Sequence, residues 1–285
     1  MALGAHLIWG LLPLYLELVR QVPAFEFVGW RILFTVPFCL LFLVLRGQVG
    51  EFRAAIANRA VLLPLLMSSV LIAVNWTVYV FAIQAGHVYA ASFGYYISPL
   101  MQVLAGTVFL HERLSRPQWL AVGLAGIGVV LLGWGELSVL WISLALASSW
   151  SAYGLIRKLT PVGSLPGLTI EATVLVPGAL AVAAWYAATP HGSSMAVSLS
   201  TSLLIAAGGL LTAIPLLLFA IAARRMDFTI LGMLQFLSPT LVFILGVTVY
   251  GKPLDSWHLA AFAIIWLAIG LFVADLWKRR REPKV

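Results

Sequence analysis

The chain has 285 residues, of which 62% are hydrophobic and only 9% are charged, and its mean hydropathy is +1.03. Soluble globular domains contain about 25% charged residues, so this composition excludes that class and indicates a membrane protein. The net charge of +7 therefore points to a membrane rather than to nucleic acid. The one cysteine, Cys39, excludes an intramolecular disulfide framework and a cysteine-based metal cluster.

Ten apolar runs are each long enough to cross a bilayer as an α-helix, which needs about 20 residues. Together they leave no room for a soluble domain, so we expect an all-α integral membrane protein whose function lies inside the bilayer. We expect the first run to be a span rather than a cleavable signal, because it lacks a basic start and contains Pro13 and Glu17. The predicted transmembrane helices are 2–18, 25–45, 61–83, 88–110, 117–134, 137–156, 168–188, 203–223, 228–250 and 257–277.

Basic residues alternate between the connections of these spans. One set of connections, with the C-terminal tail, carries 14 of the 17 Lys and Arg residues, whereas the other set carries Arg20 and Lys252. Arg31 lies inside the second span. Because Lys and Arg are retained on the cytoplasmic side, we expect a bacterial-type inner-membrane protein with both termini in the cytoplasm.

The two halves of the chain resemble each other when the sequence is shifted by 140 positions. A proline inside a span frees backbone groups that must be satisfied elsewhere, so a repeated Ser-Pro pair carries more weight than single apolar matches. Each half has five spans, and an odd number forces the second copy to insert upside down. We therefore predict two inverted five-helix repeats, residues 1–136 and 137–285, around a central cavity. The matches are Ser98-Pro99 with Ser238-Pro239, Gly106 with Gly246, Tyr79 with Phe219 and, at a shift of 141, Trp9 with Trp150.

Several motifs resemble the RarD-like branch of the EamA, or drug/metabolite transporter, superfamily. The resemblance covers nearly the whole chain and implies a ten-helix permease with two inverted repeats and a central cavity. It also implies export of amino acids or other small metabolites. The motifs are Ile8-Trp9-Gly10, Pro13-Leu14-Tyr15, Val22-Pro23-Ala24, Asn75-Trp76, Gly86-His87, Ala91-Ser92-Phe93-Gly94-Tyr95-Tyr96-Ile97-Ser98-Pro99-Leu100, Phe109-Leu110-His111-Glu112-Arg113-Leu114 and Leu231-Gly232 with Gln235 and Ser238-Pro239-Thr240.

Two acids that are common in this superfamily are missing, since Ala90 and Lys252 stand in their places. The remaining acids near the membrane lie close to predicted span ends, whereas a proton relay needs ionisable groups near the midplane. We therefore expect a facilitator whose net flux follows the substrate gradient. A multidrug or antibiotic efflux permease with proton coupling stays open as the alternative.

Polar and aromatic side chains inside the spans are the candidate substrate-binding residues. A polar group that faces lipid has no partner, so these groups should face another helix or a wet cavity. Trp9 and Trp150 lie away from the interfacial belts where tryptophan is usual. Interhelical packing is the competing interpretation for each of them. The predicted set is Trp9, Asn75, Tyr79, Tyr95, Trp150, Tyr153 and Gln235.

Charged residues and prolines within the spans are candidates for gating. Arg31 needs an anion, which Glu26, Glu17 at the end of the first span or a substrate carboxylate could supply. Glu171 has Arg157 and Lys158 as candidate partners, so Arg31, Glu26 and Glu171 are predicted to form ion pairs or gates. Prolines inside helices favour kinks and are predicted hinges. They are Pro13, Pro99, Pro215 and Pro239, the repeat-related Pro99 and Pro239 being preferred.

An intramembrane enzyme is the remote alternative, because the sequence shows no nucleophile elbow and His111-Glu112 is not followed by a second zinc-binding histidine. There is no glycine-rich phosphate loop for ATP coupling. We expect no catalytic residue, cofactor or metal. The expected partners are a small-molecule substrate and membrane lipid, without nucleic acid, and the expected state is a monomer.

Overall fold

The computed structural model describes residues 1–85, 87–133, 140–251 and 256–281. These residues form α-helices and no β-strand, which confirms the all-α prediction. The helices are α1 Ala2–Leu18, α2 Ala24–Leu45, α3 Val49–Ala57, α4 Arg59–Gln84, α5 Val88–Phe109, α6 Arg116–Leu132, α7 Leu140–Leu159, α8 Ser164–Ala188, α9 Leu199–Arg225, α10 Phe228–Gln235, α11 Leu237–Thr248 and α12 Ser256–Arg281.

Each predicted span falls on a helix, and the ninth falls on two, α10 and α11. Pro239 explains this break, because it has no N–H to donate to the carbonyl of Gln235 one turn earlier. Among the described residues, six helical segments have the length and hydropathy of a membrane span: α2, α4, α8, α9, α10 with α11, and α12. The chain is therefore an integral membrane protein, while the count of ten crossings stays a prediction.

Helices that occupy matching places in the two halves pack against each other. α2 contacts α8, α5 contacts α10, and α6 contacts α12. Other contacts have a counterpart in the opposite half. The contact of α5 with α7 corresponds to that of α11 with α1, and the contact of α2 with α9 corresponds to that of α8 with α4. This pattern of contacts is the one expected for two halves related by a two-fold axis. The predicted boundary at 136/137 and Lys252 lie outside the described residues, and the two repeats stay a prediction.

The connections rich in basic residues meet at one end of the helices. The carboxylate of Glu51 accepts a hydrogen bond from the Gly163 amide, and the Lys158 ammonium donates to the Met226 carbonyl at 2.7 Å. The hydroxyl of Ser115 donates to Asp275 at 2.7 Å. Loops that the sequence assigns to one membrane face are therefore neighbours. Which face is cytoplasmic stays a prediction.

Glycines allow three helix pairs of the core to approach closely. A Cβ on Gly209 would lie 2.6 Å from the backbone of Phe34, which brings α9 against α2. Similarly, a Cβ on Gly10 would lie 2.6 Å from Leu241, and one on Gly232 would lie 2.8 Å from the Pro99 carbonyl. Small residues at such crossings permit tight packing in membranes, where helix association depends on van der Waals contact.

Candidate substrate site

An aromatic cluster occupies the place where α1, α7 and α9 meet. The ring of Trp150 lies 5.2 Å from that of Trp9 and 4.9 Å from that of Phe219, and Phe219 lies 6.4 Å from Tyr153. These centroid distances are those of favourable aromatic pairs. Three residues of the cluster belong to the predicted set. Phe219 does not, although its match with Tyr79 in the repeat alignment could have indicated it.

Gln235 connects the aromatic cluster to α5. Its side-chain carbonyl accepts hydrogen bonds from the indole N–H of Trp150 at 3.1 Å and from the amide of Gln102 at 2.5 Å. Both glutamines are buried, and Gln235 is the last residue of α10, beside the helix break. The structure therefore places four predicted residues, Trp9, Trp150, Tyr153 and Gln235, in one group.

His6 extends this group toward α11, and the sequence interpretation missed it. Its ring lies 5.5 Å from that of Trp9, and its Nδ1 lies 3.2 Å from the hydroxyl of Ser238. The same hydroxyl donates to the His6 carbonyl at 3.0 Å. Ser238 belongs to the repeated Ser-Pro pair, so the repeat did contain a signal for this contact.

Asn75 connects two helices through its side-chain amide. Its amide nitrogen donates to the Leu146 carbonyl at 2.8 Å and to the hydroxyl of Ser149 at 3.0 Å. The side chain is buried between α4 and α7. These contacts are those of interhelical packing, the competing interpretation, and the role of Asn75 in substrate binding stays a prediction.

Tyr79 and Tyr95 form a second group with Arg31. Their rings lie 5.9 Å apart, and Tyr79 lies one turn further along α4 than Trp76, over whose ring the Arg31 guanidinium stands. The guanidinium carbon lies 4.6 Å above the ring of Trp76 and 5.9 Å from that of Phe27, within the range of cation–π contacts. The Tyr95 side chain is 41% exposed on the surface of α5.

Glu26, one of the anions that the sequence offered for Arg31, forms no ion pair with it among the described residues. The Glu26 carboxylate instead accepts hydrogen bonds from both hydroxyls of Ser193 and Ser194, at 2.5 and 2.7 Å, and from the Ser194 amide at 2.8 Å. The indole of Trp30 donates to it at 3.2 Å. Glu26 thus fastens the connection between α8 and α9 to the start of α2, a contact between segments far apart in sequence.

Glu171 forms a buried ion pair with Arg157, one of its two predicted partners. The Arg157 Nε lies 3.6 Å from the carboxylate, and both side chains are at least 97% buried. The hydroxyls of Ser68 and Tyr153 also donate to this carboxylate. Lys158, the other predicted partner, donates instead to the carbonyls of Ala223 and Met226.

A small internal cavity lies between α2, α4, α7, α8 and α9, which come from both halves of the chain. Trp76, Tyr153 and Glu171 line it, together with apolar side chains and two threonines. It has room for about one water molecule and not for an amino acid. Tyr153 is the member of the predicted set that lines it, and a substrate cavity lined by all seven residues stays a prediction.

The four predicted hinge prolines differ in their local structure. Helices α1, α5 and α9 continue without interruption through Pro13, Pro99 and Pro215. Pro239 alone of the four lies at a break, between α10 and α11. Their role as hinges stays a prediction.

Glu112 caps the start of α10 at the end of the molecule where the basic connections meet. Its carboxylate accepts hydrogen bonds from the amides of Phe228 and Thr229, at 2.7 and 2.8 Å, at the start of α10. The Lys158 ammonium lies 4.0 Å away. A carboxylate at a helix N-terminus is stabilised by the unpaired amides there. The sequence analysis noted the motif His111-Glu112, but the sequence could not show that the Glu112 carboxylate binds the start of α10.

Comparison with known proteins agrees with this fold. Residues 1–134 match the EamA-like transporter family. The chain is 41% identical over its full length to an uncharacterized transporter of Pseudomonas aeruginosa, of which it covers 96%. It is 38% identical to protein RarD of Escherichia coli, with 100% of the chain and 96% of that protein covered. A solved crystal structure is similar with a TM-score of 0.74, at 20% identity and 96% coverage of each chain. The chain therefore belongs to the RarD-like branch of the EamA-like transporter family.

Proposed function

We propose that the chain is an inner-membrane permease that exports amino acids, including aromatic and other apolar ones, and related small metabolites. The observation that carries this proposal is the aromatic cluster with Gln235, formed where helices of both halves meet. Aromatic faces bind an apolar side chain, and a side-chain amide orients the polar end of the ligand. Membership in a transporter family supports transport rather than catalysis.

Alternating access is the proposed mechanism, with a single chain as the transporting unit and both termini in the cytoplasm. The matched packing of helices in the two halves supports two inverted repeats that rearrange around a central site. Glu112 and Lys158 hold α10 at the end assigned to the cytoplasm. In this proposal those contacts break when the site opens inward, and α10 moves against α11 at the break beside Pro239.

In this proposal the substrate gradient alone drives transport, because Ala90 and Lys252 replace the two acids common in the superfamily. Proton-coupled drug efflux is a second candidate that one observation favours: Glu171 is a buried acid in the wall of the cavity. One relative, 29% identical over 94% of this chain, bears the name chloramphenicol-sensitive protein RarD. The two candidates differ in their dependence on a pH gradient.

Counterflow in proteoliposomes tests the proposal. Vesicles loaded with unlabelled L-phenylalanine should accumulate labelled L-phenylalanine without any ion gradient, and collapsing a pH gradient should leave the rate nearly unchanged. Strict dependence on the gradient would support proton coupling instead. Accumulation of chloramphenicol but of no amino acid in a substrate panel would favour drug efflux.

Two tryptophan variants test the site. Trp150→Ala removes ring contacts and the hydrogen bond to Gln235, so the KM for phenylalanine should rise about tenfold. Trp185→Ala is the matched control, because that side chain is 72% exposed on α8. It should leave transport unchanged at equal folded yield. An unchanged KM in folded Trp150→Ala would place the substrate elsewhere.

A further inference from the structure

The shift of 140 residues that relates the two halves also inverts a pair of charges. It places Glu17 on Arg157 and Arg31 on Glu171. In the second half, Arg157 near the end of α7 and Glu171 in α8 form the buried ion pair. In the first half, the acid stands near the end of α1 and the guanidinium stands in α2.

The first-half guanidinium has no carboxylate partner. Glu17 pairs with Arg20 at 2.9 Å on the exposed surface, and Glu26 is occupied by the serines of the connection between α8 and α9. Among the residues that the structure describes, no carboxylate lies within 4.0 Å of Arg31, and its buried Nε has no hydrogen-bond partner. An arginine inside a membrane span without an anion is costly, which makes it a candidate for ligand binding.

The surroundings of Arg31 define the kind of anion. Trp76 lies against one face of the guanidinium, and Tyr79, one turn further along α4, packs against Tyr95. A planar guanidinium binds a carboxylate through two parallel N–H donors, and the aromatic rings can cover an apolar body attached to that carboxylate. Trp76 is the member of this group that also lines the internal cavity between the two halves.

We propose that Arg31 binds the carboxylate of the transported solute, which thereby takes the place that Glu171 takes beside Arg157 in the other half. The proposal rests on the proposed transport function and narrows its substrate class to monocarboxylates with an apolar or aromatic body. Trp76 packs against the same hydrophobic cluster as Trp9 and Trp150, so the apolar part of the solute extends from Trp76 toward that aromatic cluster.

Three probes that differ in one charged group test this inference on the purified full-length protein in detergent. L-Phenylalanine has both charges, 3-phenylpropionate has only the carboxylate, and 2-phenylethylamine has only the amine. In the wild type, the first two should raise the melting temperature and 2-phenylethylamine should not. Equal stabilisation by 2-phenylethylamine, or none by 3-phenylpropionate, would overturn the proposal without the use of any variant.

Variants then assign the effect to the guanidinium. Arg31→Gln should weaken 3-phenylpropionate binding about 10- to 100-fold, the loss expected for charge-assisted hydrogen bonds, and Arg31→Lys should restore part of it. Arg20→Gln is the control: it removes an exposed arginine near the same end of the helices and should bind 3-phenylpropionate as tightly as the wild type does. Unchanged binding in folded Arg31→Gln contradicts the assignment.

Two further outcomes separate the possible sources of failure. If Glu17→Gln abolishes transport while Arg31→Gln binds 3-phenylpropionate normally, then Glu17 supplies the anion for Arg31 and the proposal is wrong. If the wild type binds 3-phenylpropionate through Arg31 but carries no amino acid across liposome membranes, the carboxylate site stands and the amino acid export function fails.

Discussion

Replacing Glu171 by Gln should destabilise the fold more than removing both charges of its ion pair. At the observed 3.6 Å, two unit charges attract each other by about 4 to 5 kcal/mol for an effective dielectric constant near 20. Removing one partner of a buried pair leaves an uncompensated charge and costs about 3 to 5 kcal/mol. The guanidinium of Arg157 keeps its hydrogen bond to the Ser164 carbonyl, but that bond does not neutralise it.

Thermal unfolding of the protein in detergent measures this effect. Glu171→Gln should lower the melting temperature by roughly 10 °C, whereas the double variant Arg157→Met with Glu171→Gln should recover most of the loss. The matched single variant Glu17→Gln alters an acid that is half exposed and should change the melting temperature little. If the double variant loses the sum of the two single losses, the two side chains do not act as a pair and the reasoning fails.

Two further predictions concern packing and topology. Gly209→Ala would press a methyl group against the backbone of Phe34 and should destabilise the fold by about 1 to 3 kcal/mol. The methyl group of Gly178→Ala points into open space, so this control variant should be neutral or stabilising. The melting temperatures of the two variants are compared, and equal values would contradict the close approach of α9 to α2. A cysteine at exposed His191, in a Cys39→Ser background, should react with an impermeant thiol reagent added outside cells, and protection there would reverse the predicted orientation.

The fold could be predicted because its signals are local or periodic. Apolar runs long enough for a bilayer predict helices directly, and Pro239 explains the one place where a predicted span divides into two helices. The extent of the family match, 1–134, lies close to the predicted first repeat. These features depend on residues within one helix or on a constant shift along the chain.

The site was predicted less well, because its contacts join segments far apart in sequence. Asn75 and Glu26 are polar residues at the edge of or inside spans, and the sequence could not show that each satisfies its hydrogen bonds with another protein segment. His6 and Phe219 are ordinary core residues by sequence, yet both contact Trp9. A pattern along one helix states which residues share a face but not which helix that face meets.

The two predicted repeats differ in a way that bears on the proposed transport cycle. At the end where Glu112 caps α10, the chain supplies both charges of the Arg157–Glu171 pair. The matching position in the other half supplies only the guanidinium of Arg31, and in the proposal above the carboxylate of the solute completes this second pair. A solute can shift a conformational equilibrium only by its difference in affinity for the two states. A carboxylate that pairs with Arg31 provides such a difference, because it stabilises the half of the molecule that the fold leaves incomplete. Each charge-assisted hydrogen bond is worth about 1.5 to 3 kcal/mol, which is also the size of each hydrogen bond that Glu112 accepts and that breaks in the proposed inward opening.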